Sequence, residues 1–150
     1  NFIRIPWLQL EHIPYAAITI KLNDISFIVL YGKNIADIIT SNPFTPSVLF
    51  DSTTNQLLNI TELGDIPVHH PMISTIAYTS WGGFTGVLID DCIVVMIMNY
   101  TFIGNISDWF LYKQPIIRWK LLHTSFIQPR TYVSSWSYNK QIYILGVIIY

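Results

Sequence analysis

The chain has 150 residues, 51% of them apolar and only 11% charged, with a formal net charge of −1. Its eight Lys+Arg stand singly and leave no basic face, which excludes nucleic-acid binding through phosphate neutralisation. The longest unbroken apolar runs, 92–98 and 142–150, fall well short of the ~18 residues that a membrane-spanning helix needs, and they do not alternate as lipid-facing barrel strands do.

A typical soluble domain carries about 25% charged residues. The charge here is too sparse to coat a freestanding globule, so contact with another protein chain, or with the remaining part of the same chain, is expected. The chain begins at Asn1 rather than Met and stops at Tyr150 inside an apolar run, and we read it as one all-β unit, a fragment of a larger domain. Cys92 is the single cysteine, so no internal disulfide can form.

In chain order, residues 1–14 read as an entry strand or loop broken by Pro6 and Pro14. Residues 16–22 and 25–31 then form a hairpin about Asn23-Asp24, its second arm almost continuously apolar. The segment from Asn34, NIADIIT, has room for one or two helical turns before Pro43 and Pro46. Residues 47–50 and 56–60 make a further hairpin, and 61–71 reads as a connector carrying Glu62, Asp65, His69 and His70. Residues 73–79 suit a strand, with Trp81-Gly82-Gly83 as the turn that follows.

Residues 86–100, GVLIDDCIVVMIMNY, carry the strongest signal. Two apolar arms flank Asp90-Asp91, residue types that favour a tight turn. The second arm does not alternate, which implies a strand covered on both faces. Residues 102–107 read as a loop around Gly104, 108–113 and 116–122 as a hairpin pinched at Gln114-Pro115, and 131–138 with 142–150 as a last hairpin about Asn139-Lys140.

Three of these hairpins superimpose as sequence: TIKLNDISFIVLYG, VLIDDCIVVMIM and SWSYNKQIYILGVI. Each has a polar turn pair and an apolar second arm, and Pro14, Pro71 or Pro129 precedes its first arm. Repeats near ~40 to 50 residues with four short strands belong to β-propellers, where neighbouring blades cover both faces of every sheet. The expected fold is therefore all-β, with antiparallel hairpin repeats in a partial propeller of about three blades and a blade core near 73–122. The alternative is a β-sandwich, which predicts one wet face per strand.

Candidate sites are few. His69 and His70 are the nearest thing to a metal site, but adjacent histidines on an extended loop point apart, so no metal is expected. Asp90 and Asp91 serve a turn rather than paired acid/base chemistry, which needs two carboxyls facing across a substrate. Trp81, beside two glycines, is the aromatic expected to be exposed for ligand stacking, whereas Trp109, Trp119 and Trp136 are assigned to packing between sheets. Asn59, Asn99 and Asn105 head three N-x-[ST] glycosylation sequons, roughly twice the chance number, and they favour an extracellular or cell-surface location. No phosphate-cradling glycine loop, nucleophile elbow or Cys/His cluster is present, and no cofactor is expected.

Arg4-Ile5-Pro6 resembles the Arg-Ile-Pro near the start of sialidases, propellers that hold a carboxylate on three arginines. The resemblance implies a clamp of Arg4, Arg118 and Arg130, the three arginines of this chain. The Ser-x-Asp-x-Gly-x-x-Trp turn repeat of that family is absent. Two functions follow as expectations: a non-catalytic interaction or structural segment of an extracellular receptor or channel-accessory type, and, as the alternative, a glycan-binding or glycan-processing propeller.

Overall fold

In a computed structural model of the protein, residues 17–31, 47–69, 84–97, 100–122 and 130–148 are described. They form antiparallel sheets with little helix, in two compact units, Asn1–Ile60 and Thr61–Tyr150. The entry segment, the helical turns expected from Asn34 and the strand expected at 73–79 lie outside the described residues.

The first unit is a four-stranded meander, β1 (Ile18–Lys21), β2 (Ser26–Leu30), β3 (Val48–Asp51) and β4 (Gln56–Asn59), in that spatial order. In β1, Ile18 and Ile20 turn inward while Thr19 and Lys21 stay in water, as an edge strand with one wet face should. In β2 only Phe27 is less than fully buried, and its ring meets that of Phe50, its partner in register, at 5.0 Å. Asn23 builds the turn: its side-chain oxygen accepts from the backbone N–H groups of Ile25 and Ser26 and from the Ser26 hydroxyl, at 2.8–2.9 Å. That is why Ser26 can be 2% exposed without loss. Asp51 does the same for the next turn through Thr53.

The second unit holds a five-stranded sheet in the order β5 (Thr61–Gly64), β9 (Ile116–Leu122), β8 (Tyr100–Asn105), β7 (Cys92–Ile97), β6 (Phe84–Ile89). All its pairs are antiparallel except β5 on β9. The hairpin β6–β7 falls where the sequence places it, and β7 is buried from Ile93 to Ile97 on both faces.

Three secondary-structure assignments need correction. Residues 61–64 are not a bare connector but the parallel edge strand β5, tied to β9 by bonds from Thr61 N–H to the Pro115 carbonyl and from Leu121 N–H to the Asp65 carboxylate. Residues 102–105 are not a loop but the inner part of β8, with Phe102 fully buried. Gly104 does not break that strand; it makes room for the Trp119 ring, since a Cβ there would lie 2.7 Å from Trp119 Cζ3.

Residues 108–112 are not a strand but part of the helix α1 (Ser107–Tyr112). Asn105 accepts from the Ser107 N–H and hydroxyl and so starts the turn, and Lys113 ends it in the left-handed region at φ 57°. Six residues rich in Trp, Phe and Tyr satisfy either period. Burial of Trp109 beneath the Lys113 ammonium decides for helix, overriding β propensity.

The chain then forms a separate two-stranded sheet, β10 (Arg130–Tyr138) and β11 (Gln141–Ile148). Its two-residue turn places Asn139 and Lys140 both at positive φ, as a type I′ hairpin requires. Ile142 and Ile144 pack on the core of Val87, Val94 and Met96, so one face of the hairpin lies over the β6–β8 region. The other face is bare: β11 alternates between exposed and half-buried residues along 141–146. The expectation that the arm near residue 145 is shielded front and back, as β2 and β7 are, is therefore not met.

Candidate functional site: the aromatic face of the last hairpin

In an antiparallel ladder, directly opposed residues share a face. The register Ser134↔Leu145, Trp136↔Tyr143 and Tyr138↔Gln141 thus defines the outer face of β10–β11. On it Trp136 is 50% exposed, Tyr138 64% and Leu145 67%, with Tyr143 beside them at 38%. The Trp136 and Tyr143 rings stack at 5.4 Å between centroids and 10° between planes. Tyr143 further donates its hydroxyl to the Gln141 side-chain oxygen at 3.0 Å. None of the six residues described on this face is charged.

The inner face explains why the outer one is apolar. Ser135 and Ser137 point at β6: the Ser135 hydroxyl meets that of Thr85 at 2.6 Å, and the Ser137 hydroxyl donates to the Leu88 carbonyl at 2.9 Å. The Lys140 ammonium donates to the Asp90 carboxylate at 3.0 Å and aligns the two hairpin turns. Small hydroxyl side chains let β10 lie close against β6, and the aromatic residues that alternate with them are turned outward.

No protein-family model matches this chain, and no curated protein matches it in sequence. The site therefore stands on its own geometry.

Arg4, Trp81, His70 and Asn99 lie outside the described residues. Arg118 is ion-paired with Asp108 at 3.2 Å, and Arg130 opens β10, with only its backbone described. His69 sits exposed in a 3₁₀ turn, Pro67–His69, and no group of three His, Cys, Asp or Glu able to hold a metal occurs among the described residues. Asn59 ends β4 with its side chain exposed, while Asn105 is engaged with Ser107. No helix of the described residues is long and apolar enough to cross a membrane.

Asp90 and Asp91 occupy the β6–β7 turn, with Asp90 at φ 52°. Beside them Cys92 is half-buried, and its thiol donates toward the Asp91 carboxylate at 3.7 Å. Burial first, and then the Asp91 charge, push that thiol above the ordinary cysteine range, so it is held neutral rather than primed as a nucleophile.

Of the packing tryptophans, Trp109 and Trp119 are buried and Trp136 is not. The assignment of Trp136 to packing is corrected by its 50% exposure. The pattern Ser134-Ser135-Trp136-Ser137-Tyr138 did hold a usable signal, since Trp136 and Tyr138 alternate with serine and must share one face.

Proposed function

We propose that this chain is a non-catalytic interaction and structural segment of a larger β-sheet protein, and that the outer face of β10–β11 is its docking surface. One observation carries the reading: Trp136, Tyr138, Tyr143 and Leu145 stand together on one exposed, uncharged sheet face. Apolar surface gains about 25 cal/mol per Å² when removed from water. A rigid aromatic patch of this kind offers a partner several such side chains at little entropic cost, because hairpin pairing already holds them.

The same proposal extends to architecture. Strands β1–β4 and β6–β9 are both antiparallel meanders opened by a hairpin with a polar turn and a buried second arm, the strand order of a propeller blade. Hairpin β10–β11 would open a further blade of this kind. The parallel strand β5 and the helix α1 depart from the simplest blade. A β-sandwich also accounts for one sheet lying on another. An extracellular or cell-surface location is proposed on the sequons alone, of which Asn59 is exposed.

The experiment is the double variant Trp136→Ser with Leu145→Ser, followed by far-UV circular dichroism and urea unfolding. A docking face is dispensable for the fold, so the β spectrum is expected to persist while aggregation falls. Loss of the β spectrum would mean that these side chains belong to the interior, and would overturn the reading.

A further inference from the structure

Resting on the extracellular location proposed above, we infer that Asn59 carries an N-linked glycan in the folded chain and that Asn105 stays bare. The two head sequons of the same form, Asn59-Ile60-Thr61 and Asn105-Ile106-Ser107. N-glycosylation joins the side-chain amide nitrogen to the anomeric carbon of a lipid-linked glycosyl diphosphate. The C–N bond forms, the bond from that carbon to the diphosphate oxygen breaks, the diphosphate leaves with the electron pair, and the nitrogen gives up one proton. The folded product needs a nitrogen with no other bond to keep and open space for a bulky saccharide.

Asn59 suits that product. It is exposed at the end of β4, which is the edge of its sheet among the described residues and pairs it with Val48 of β3 on the inner side. Thr61 is exposed as well, and the half-buried Ile60 between them anchors the triplet, its N–H donating to the Ser47 carbonyl. Asn105 does not suit it. That residue sits on β8 between β7 and β9, opposite Cys92 on one side and Arg118 on the other. Its side-chain oxygen accepts from the Ser107 N–H and hydroxyl. Its side chain also bonds the Cys92 sulfur in the sense that favours the thiolate, so the amide nitrogen is the donor. Ile106, in the middle of the sequon, is 1% exposed. A saccharide on the Asn105 nitrogen would break the Cys92 contact and crowd the strands on either side.

The test is to secrete the full chain from a eukaryotic cell behind a cleavable signal peptide and to map the folded product by mass spectrometry after enzymatic deglycosylation, which leaves aspartate wherever a glycan was attached. Aspartate is expected at position 59 and asparagine at position 105. Asn59→Gln and Thr61→Ala should each abolish the same glycan, and Thr61→Ser should keep it, because the sequon requires the hydroxyl. Asparagine at position 59, or aspartate at position 105 in a product that keeps its β spectrum, overturns the inference. Its failure is separable from that of the location, which surface biotinylation of the natural protein in its own cells reads directly. A natural protein absent from the surface removes the location, whereas a secreted chain bare at position 59 removes the site.

Discussion

Trp136 and Tyr143 face each other across the β10–β11 ladder with their rings stacked at 5.4 Å, and both are open to solvent. Such a pair adds about 0.5–1.5 kcal/mol beyond its area. Trp136→Ala is therefore expected to lower hairpin stability by about that amount while leaving the five-stranded sheet intact. Urea unfolding followed by far-UV and near-UV dichroism checks this, and collapse of the whole β signal would contradict it.

Gly104 and Trp119 are partners in register, and a Cβ on Gly104 would come within 2.6 Å of Ile117 Cγ2 and 2.7 Å of the Trp119 ring. Both obstacles are held in the core. Gly104→Ala should therefore cost at least about 1–3 kcal/mol through overpacking. A urea midpoint equal to wild type would show that the ring can move aside.

Two buried tryptophans should respond differently to replacement by Phe. Trp119 Nε1 donates to the Glu62 carboxylate at 2.7 Å, so Trp119→Phe loses a charge-assisted bond and is expected to cost more than about 2 kcal/mol. Trp109 Nε1 is buried with no hydrogen-bond partner. Trp109→Phe removes a donor that costs about 1–3 kcal/mol to leave unmade, offsetting the lost volume and leaving stability nearly unchanged. Equal losses in the two variants would contradict this contrast.

Lys140 holds φ 59° in the type I′ turn, a region that costs a non-glycine residue about 1–2 kcal/mol. Its ion pair with Asp90 is mostly exposed and contributes about 0–1 kcal/mol. Lys140→Gly is accordingly expected to raise stability slightly, by up to about 1 kcal/mol. A clear fall in thermal midpoint would mean that the Lys140–Asp90 pair matters more than its exposure implies.

The Cys92 thiol titrates above its unfolded value because of burial and then the Asp91 carboxylate. A raised folded pKa means that the fold favours the neutral thiol. That contribution is fully present below the unfolded pKa of about 8.5 and is lost as pH rises through the folded value. Stability measured against Cys92→Ser, which does not ionise in this range, should converge toward or below the variant at alkaline pH. Iodoacetamide alkylation of the folded chain should likewise lag behind that of the urea-unfolded chain near pH 8.5, about the pKa of a free thiol.

Local chemistry determined the hairpins. Asn23-Asp24, Asp90-Asp91 and Asn139-Lys140 each supply turn geometry or side-chain acceptors, and the apolar run 92–98 placed a doubly buried strand at β7, where the structure has one. These features depend on residues a few positions apart. Tertiary packing decided what depends on distant partners. Trp119, lying over Gly104, turned a glycine-bearing segment into the strand β8, and burial of Trp109 turned 107–112 into helix. The candidate site was hidden for the same reason. Alternation told that Trp136 and Tyr138 share a face, but composition points such residues inward. Only contacts with Thr85 and Leu88, some fifty residues away in sequence, draw the intervening serines toward β6 and turn the aromatic side of the hairpin out to solvent.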